Sequence, residues 1–271
     1  MKSKACIVIP IYKTQLDHFE QISLSQCFSI LGKHDIYIIC PEGEEKSIRS
    51  ISLLKNKNAG YVAFDDQFFK SIAGYNRLLK YPGFYKEFLS YTHLLIYQLD
   101  AFVFRDDLGY WCDQGFDNIG APLFKGYENA ARDSEIVGQG NGGFCLRNVS
   151  NCYNVVTSLK KLSSGLTFYD PESPAYLNML RWIKHRYILD YSLYPFQPVY
   201  NEDIFWAELV PKAFKQFSVP DPQISIGFSF EANPTVLFEM NNNMLPFGCH
   251  AWQKYDLPFW KEHIEAYGYK I

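Results

Sequence analysis

The stretch THLLIYQLDAFVFRDD, residues 92–107, places an amide and a carboxylate, Gln98 and Asp100, inside an otherwise apolar run. The apolar residues before Gln98 are typical of a β-strand that is buried on both faces. Because an unpaired carboxylate is costly to remove from water, we expect Asp100 to lie at the exposed carboxyl end of this strand, to pair with a cation, or to be protonated. The first two options together describe a metal site, and the alternative is an aspartate that only begins a turn.

The composition is that of a globular chain with a sizeable core, because 48% of its 271 residues are hydrophobic and 17% are aromatic. We expect one α/β domain that covers residues 1–271. The formal net charge of -3 gives no basic surface for nucleic acid. No apolar run reaches the roughly 18 residues that a membrane span needs, so the sequence predicts no transmembrane helix.

Two features favour a cytoplasmic protein. The N-terminal apolar segment is broken by Pro10 and closed by Lys13 without a small-residue cleavage site, which is typical of a first buried strand rather than of a secretory signal. The seven cysteines form no CxxC pair and lie mostly in apolar segments, as reduced core thiols do.

Strand and helix patterns alternate in the first half of the chain. Apolar and amphipathic periodicities predict strands at 5–12, 35–41 and 60–69 and helices at 19–31, 70–80 and 84–90. This alternation favours a mainly parallel sheet, in which ligands bind at the carboxyl ends of the strands. In the second half we expect shorter strands at 117–121, 142–147 and 224–230 and helices at 149–162, 174–188 and 202–209.

The stretch VGQGNGGFCLRN, residues 137–148, is rich in glycine. Gly142 and Gly143 would let a ligand approach the backbone closely, and Asn141 offers both a donor and an acceptor. The stretch lacks the Lys-Ser/Thr ending of a phosphate-binding loop. The alternative is a glycine-rich hairpin or bulge without a ligand.

Two acids begin a helix pattern in PVYNEDIFWAELVP, residues 198–211. Asn201 can cap the helix, and Glu202 and Asp203 lie in its first turn, where acids are also ordinary partners of the helix dipole. The apolar residues that follow place both acids at the rim of a core, where a carboxylate can act as a general base.

A histidine, His250, lies between apolar residues in PFGCHAWQKYD, residues 246–256. It is a candidate metal ligand. The alternative is a polar side chain that is simply satisfied within the fold.

Taken in this order, the segments resemble the glycosyltransferases of the GT-A fold. That superfamily begins with a strand and loop that receive a nucleotide, followed by a DxD motif, a glycine-rich segment, an xED motif and a C-terminal histidine. The matching stretches are VIPIYK (8–13), QLD (98–100), GNGGFCLR (140–147), NED (201–203) and CH (249–250). The stretches YQLDAFVF and PFGCHAW resemble sequences of an uncharacterised bacterial family with GT-A hallmarks. The first acid of DxD is Gln98 here, which leaves metal dependence open.

The resemblance implies a fold and a set of site residues. The fold is a GT-A-like, mixed but mainly parallel sheet flanked by helices, with a nucleotide-binding half at about 1–135 and an acceptor and catalytic half at about 136–271. Asp100 and His250 would bind a divalent metal, Mn or Mg, and Asp203 would be the base of an inverting transfer, with Glu202 as the alternative base. The expected donor contacts are Pro10, Ile11, Tyr12, Lys70, Asn76, Gln98, Leu99, Asn141, Gly142 and Gly143.

The implied activity is transfer of a sugar from a nucleotide-sugar donor to a glycan or lipid-linked acceptor in bacterial surface polysaccharide synthesis. The aromatic and basic segment 165–200 is interpreted as an acceptor lid, as a peripheral contact with the inner face of the membrane, or as a solvated helix. Two other classes stay open: a sugar-nucleotide-binding protein without catalysis, and a nucleotidyltransferase, for which the N-terminal stretch lacks a glycine-rich phosphate signature.

Overall fold

The computed structural model describes residues 4–158, 174–180 and 201–271. Its strands are β1 (Ala5–Pro10), β2 (Asp35–Pro41), β3 (Ala59–Phe64), β4 (His93–Tyr97), β5 (Phe102–Val103), β6 (Asn118–Ile119), β7 (Pro122–Phe124), β8 (Ile136–Gln139), β9 (Phe144–Asn148), β10 (Ser229–Phe230) and β11 (Gly248–Cys249). Its helices are α1 (His18–Leu31), α2 (Glu45–Arg49), α3 (Ile72–Leu78), α4 (Pro82–Glu87), α5 (Leu108–Asp113), α6 (Val149–Thr157), α7 (Glu202–Ile204), α8 (Val210–Ala213), α9 (Pro222–Phe228), α10 (Pro234–Met240) and α11 (Leu257–Glu265).

The largest sheet has six strands in the order β3-β2-β1-β4-β9-β6. The strands β3, β2, β1 and β4 are parallel to one another, whereas β9 is antiparallel to both β4 and β6. The mixed, mainly parallel sheet with flanking helices that the sequence predicts is therefore confirmed. Because β9 comes from the second half of the chain and pairs with β4 of the first, both halves contribute to one sheet.

The central strands are buried on both faces. In β1, Ile7 and Ile9 pack in one core cluster with α1, whereas Cys6 and Val8 pack in another with α4 and α6. This explains why the sequence of β1 is continuously apolar and does not alternate between apolar and polar residues. All seven cysteines are buried and free. Among the described helices, none is long and apolar enough to cross a bilayer.

The apolar run that contains Gln98 and Asp100 is divided between two sheets. Strand β4 ends at Tyr97, and β5 pairs with β11 in a second, three-stranded sheet of order β10-β11-β5. Between them the chain turns, with the Ala101 N–H donating to the Gln98 carbonyl at 2.9 Å. Asp100 therefore lies in the turn that follows the carboxyl end of β4.

The expected strand at 224–230 is wrong for most of its length. Residues Pro222–Phe228 form α9, and only Ser229–Phe230 are extended. The reason is local, because the Asp221 carboxylate accepts from the Gln223 N–H and Pro222 occupies the first turn, which together start a helix.

The segment 165–200 lies outside the described residues except for 174–180, of which 175–180 are helical. The interpretation of this segment as an acceptor lid or a membrane contact therefore stays a prediction. The helix expected at 149–162 is observed as Val149–Thr157.

Candidate functional site

A cleft of about 620 Å³ opens at the carboxyl ends of β1 and β4. Every residue that the sequence analysis places in the site contributes to its wall: Pro10, Ile11, Tyr12, Lys70, Asn76, Gln98, Leu99, Asp100, Asn141, Gly142, Gly143, Glu202, Asp203 and His250. These residues are distant in sequence and reach the cleft from six separate segments. Polar wall residues that were not expected from the sequence include Tyr75, Glu231 and Gln253.

Asp100 and His250 are neighbours at one end of the second sheet, where β5 begins and β11 ends. The Asp100 Oδ1 lies 3.1 Å from the His250 Nε2, and the two side chains are 33% and 14% exposed. The pairing of β5 with β11 brings them together, and the His250 N–H donates to the Phe230 carbonyl at 3.0 Å. Burial raises the pKa of Asp100, but the adjacent imidazole outweighs that effect and holds the pKa below its ordinary value.

Glu231 contacts the other nitrogen of the same imidazole. Its Oε1 lies 3.0 Å from the His250 Nδ1. Burial lowers the pKa of His250, but the two carboxylates outweigh burial and raise it to about 10. Glu231 directly follows β10, so it occupies the same kind of position after a strand as Asp100 does after β4.

The Asp100 and His250 pair fits a divalent cation. Carboxylate oxygen and imidazole nitrogen are suitable ligands for Mn, and the buried His250 Nε2 has no hydrogen bond of ordinary geometry within the described residues. A carboxylate on the opposite ring nitrogen, as Glu231 is here, is the arrangement that orients metal-binding histidines. Since no group of three or more His, Cys, Asp or Glu that could hold a metal is found among the described residues, further ligands would come from the substrate or water.

Asn141 organises the glycine-rich segment through both ends of its amide. Its Oδ1 accepts from the Gly143 N–H at 2.6 Å and the Phe144 N–H at 3.0 Å, and its Nδ2 lies 2.9 Å from the His250 Nδ1. The side chain was predicted to present a donor and an acceptor to a ligand, and its acceptor oxygen is used within the protein. It fixes the position of the loop relative to His250.

Gly142 and Gly143 are required by the protein's own side chains. A Cβ at Gly142 would overlap the Glu202 carboxylate, and one at Gly143 would overlap the His250 imidazole. The close approach expected of these glycines is therefore present, but the groups that approach are Glu202 and His250. Both glycines also line the cleft, so contact with a donor stays a prediction.

Glu202 is held in a buried ion pair with Arg147. The Arg147 side chain is fully buried, and its Nη2 donates to the Glu202 Oε2. The same guanidinium donates to the Tyr85 hydroxyl at 3.0 Å and to the Leu79 carbonyl at 3.5 Å. A carboxylate so engaged is a poor proton acceptor for a substrate, which makes Asp203 the better candidate base.

Asp203 lies half-buried in the cleft wall at the start of a helical segment. Burial, followed by the negative charge of Glu202, raises the pKa of Asp203 to about 6. The segment is continued by a π-helical turn, Phe205–Leu209, of the kind that is frequent at functional sites. A carboxyl with a pKa near neutrality is suited to general-base chemistry.

Asn76 takes the capping role that the sequence analysis gives to Asn201. The Asn76 Oδ1 accepts from the Glu202 N–H at 2.5 Å, whereas the Asn201 side chain makes no capping hydrogen bond. The Asn76 Nδ2 donates to the Ile72 carbonyl at 2.9 Å. Its amide is therefore engaged on both sides, which favours a positioning role over contact with a donor.

The mouth of the cleft combines apolar and cationic groups. Tyr12 is 56% exposed and Ile72 is 80% exposed, and Lys70 is exposed beside them. Ile11 is buried beneath, so it shapes the wall through packing. Such a mouth offers a ring face and a cation to a ligand that enters the cleft.

The family profile described as Protein of unknown function (DUF5672) matches residues 58–250. The chain belongs to this family. The matched range includes most of the cleft wall, from Lys70 to His250, and excludes β1 and its loop. No curated protein shows significant sequence similarity to the chain.

Several solved structures resemble this fold. One is the galactosyltransferase LgtC in complex with donor and acceptor sugar analogues, which is 12% identical, with a TM-score of 0.50 and coverage of 96% of this chain and 95% of that one. The apo form of mouse xyloside xylosyltransferase 1 is 10% identical, with a TM-score of 0.46 and coverage of 91% and 97%. GlyE of Streptococcus pneumoniae TIGR4 in its apo form is 15% identical, with a TM-score of 0.42 and coverage of 92% and 54%. At such identities the similarity to LgtC shows the fold, which is that of the GT-A glycosyltransferases.

Proposed function

We propose that this protein is a glycosyltransferase that moves a sugar from a nucleotide-sugar donor to a glycan or lipid-linked acceptor. The observation that carries the proposal is that the Asp100 and His250 pair and the Asp203 carboxyl line one cleft at the carboxyl ends of a GT-A sheet. Ligands of parallel sheets bind at this edge. The fold favours glycosyl transfer, and the side chains of Asp100, His250 and Asp203 would supply the chemistry of that reaction.

Asp100 and His250 would hold Mn or Mg, with Glu231 orienting the imidazole from its other nitrogen. A bound divalent cation would neutralise the charge that grows on a diphosphate leaving group. Because Gln98 is neutral, the protein offers one carboxylate rather than two at the DxD position. We therefore expect metal binding that depends on the donor's own phosphate oxygens.

Asp203 would take the proton from the acceptor hydroxyl in an inverting transfer. With a pKa of about 6 it is ionised at neutral pH and is a stronger base than an ordinary aspartate. Glu202 would act through the ion pair with Arg147, which keeps the first turn of the helix in place. The loop after β1, with Tyr12, and the exposed Lys70 would contact the nucleotide and its phosphates.

We place the reaction in bacterial surface polysaccharide synthesis, in the cytoplasm or at the inner face of the membrane. The support for this setting is the aromatic and basic composition of 165–200, which suits a glycan or lipid-linked acceptor.

A thermal-shift panel of sugar nucleotides, with and without MnCl2, tests the proposal. Specific stabilisation by one donor identifies it, because a ligand that binds only the folded state raises its stability. Hydrolysis of that donor, with inversion at the anomeric carbon, then tests the chemistry. A flat panel contradicts the proposal.

Binding without hydrolysis or transfer would favour the second candidate function, a sugar-nucleotide-binding protein without catalysis. The specific observation that favours this second function is Gln98, which occupies the position of the first acid of the DxD motif.

A further inference from the structure

Three buried polar atoms in the wall of the cleft have no hydrogen bond of ordinary geometry in the described part of the chain. They are the Tyr75 hydroxyl, the His250 Nε2 and the Gln253 Oε1. Leaving a buried polar atom unpaired costs free energy, and native folds rarely do so without a reason. His250 belongs to the proposed metal pair, which leaves Tyr75 and Gln253 without a role.

Tyr75 is held rigidly with its hydroxyl in the cleft wall. It lies on α3, whose Ser71 cap accepts from the Gly74 N–H at 3.0 Å, and the neighbouring Asn76 joins this helix to Glu202. The side chain of Gln98 is the polar group beside the hydroxyl. Burial raises the pKa of Tyr75 above its ordinary value, so the hydroxyl keeps its proton and can donate a hydrogen bond.

Gln253 lies in the turn that follows His250, one member of the proposed metal pair. Its neighbour Trp252 is fully buried and donates to the Ser23 Oγ at 3.3 Å, and the chain bends at Ala251, which has a φ of 49°. The Gln253 side chain lines the cleft, and its Oε1 is buried there without a hydrogen bond of ordinary geometry to the described residues. Whichever way the amide is turned, it presents an uncharged hydrogen-bonding group to the cleft.

Both groups are uncharged, and they line the same cleft as the pair that is suited to a metal and phosphates. A hydroxyl group of a ligand can be bound by an uncharged donor or amide, and a site that pairs such a group with the ligand discriminates by hydrogen bonding. We propose that Tyr75 and Gln253 bind hydroxyl groups of the sugar-nucleotide donor, those of its ribose or those of the transferred sugar. This inference rests on the proposed function, because it names the residues that would recognise the donor in the same cleft.

The test compares stability without ligand and affinity with ligand in Tyr75→Phe and Gln253→Met. Because neither polar atom makes a hydrogen bond of ordinary geometry with the described residues, we expect each variant to keep or raise the melting temperature of the ligand-free protein. The affinity for the sugar nucleotide should fall roughly three- to tenfold, the effect of one lost uncharged hydrogen bond. The probe is whichever of UDP-glucose, UDP-galactose, GDP-mannose and ADP-glucose, each with MnCl2, stabilises the parent most.

Matched controls remove hydroxyl and amide groups that do have partners. The Tyr267 hydroxyl donates to the Phe104 carbonyl at 2.6 Å, and the Gln26 Nε2 donates to the Val103 carbonyl at 2.7 Å. Tyr267→Phe and Gln26→Met should lower the melting temperature and leave affinity unchanged. If Tyr75→Phe and Gln253→Met behave like these controls, the two residues are structural and the inference is overturned.

Two further ligands identify the hydroxyl that is bound: the matching nucleoside diphosphate and its 2′,3′-dideoxy form. If a variant loses affinity for the diphosphate but not for its dideoxy form, the residue binds a ribose hydroxyl. If it loses affinity for the sugar nucleotide alone, the residue binds a hydroxyl of the transferred sugar. An equal loss with the dideoxy form indicates phosphate contact and overturns the inference. If no probe stabilises the parent, the proposed function fails; if the parent binds and both variants bind equally well, only this inference fails.

Discussion

The Asn76 side chain accepts a hydrogen bond from the Glu202 N–H at 2.5 Å, which ties α3 to the first turn of the helical segment that carries Asp203. We expect Asn76→Ala to lower the free energy of unfolding by about 1 kcal/mol, the effect of a lost helix cap, and to lower turnover per folded molecule. Asn76→Asp keeps the acceptor oxygen and should restore much of both. If instead Asn76→Ala changes only donor affinity, with stability intact, Asn76 is a donor contact and not a cap. Urea unfolding and donor titration measure the two effects.

Asp203→Asn should remove transfer while keeping the donor bound. The variant retains shape and hydrogen bonding but cannot accept a proton, so turnover should fall roughly 100- to 10,000-fold with donor affinity little changed. In the parent, kcat/KM should rise with pH through about 6 as Asp203 ionises. Near-parent turnover in the variant, or retention of the donor's anomeric configuration in the product, would exclude this base.

The same substitution should raise stability at neutral pH. Burial and the charge of Glu202 raise the pKa of Asp203 to about 6 in the folded protein, so the folded state binds this proton more tightly than the unfolded chain does. The stability contributed by this group is therefore fully present at a pH below about 4 and is lost as the pH rises to about 6. At pH 7.5, Asp203→Asn should increase the free energy of unfolding by on the order of 2 kcal/mol. An equal unfolding energy for both proteins at pH 7.5 would contradict the raised pKa.

Asp100→Asn and His250→Asn should each weaken Mn-dependent binding of the donor. The two groups lie 3.1 Å apart, and each variant removes one of the two proposed ligands. A matched control exists in His34, which pairs with Asp106 at 2.9 Å and is not part of the cleft wall. His34→Asn should leave Mn binding unchanged. Electron paramagnetic resonance of Mn with the donor present measures the difference, and parent-like binding in both site variants would refute the metal pair.

Glu231→Gln should reduce Mn affinity without direct contact with the ion. The carboxylate holds the His250 Nδ1 at 3.0 Å, and loss of such a partner typically lowers metal affinity about 10- to 100-fold. Glu239→Gln is the control, because Glu239 forms an exposed ion pair with Arg132. Calorimetric titration with MnCl2 in the presence of the donor distinguishes the two variants; equal Mn affinities would mean that His250 is oriented by other groups.

Local patterns were sufficient to place the main strands and the acids that follow them. Asp100 was found because four consecutive apolar residues, 94–97, precede the turn and form a strong strand signal. Glu231 occupies an equivalent position after β10, but that strand has only two residues and follows a helix. The alternating pattern ISIGFSF favours a strand, and the Asp221 cap with Pro222 overrides it. The strand expected at 224–230 ends at the observed residue, but the acid that follows it was not singled out as a site residue.

Contacts between distant segments were beyond the reach of local patterns. The sequence indicates that Gly142 and Gly143 need space, but it does not indicate that Glu202 and His250 fill it. The cap on Glu202 comes from Asn76 rather than from the adjacent Asn201 for the same reason, since only the packing of α3 decides which amide is near.

Strand β5 pairs with β11 through Val103 with Gly248 and Phe102 with Cys249. The Asp100 and His250 pair can therefore form only after both strands have been synthesised. Asp100 leaves the ribosome long before His250, and their strands meet only after Gly248 and Cys249 have been translated. A nascent chain can build the parallel strands β1 to β4 from neighbouring segments, but it has no partner for β5. Products of premature termination before Gly248 therefore lack the Asp100 and His250 pair altogether. Assembly of this centre is among the last steps of folding, because pairing across so long a loop is slow compared with local contacts.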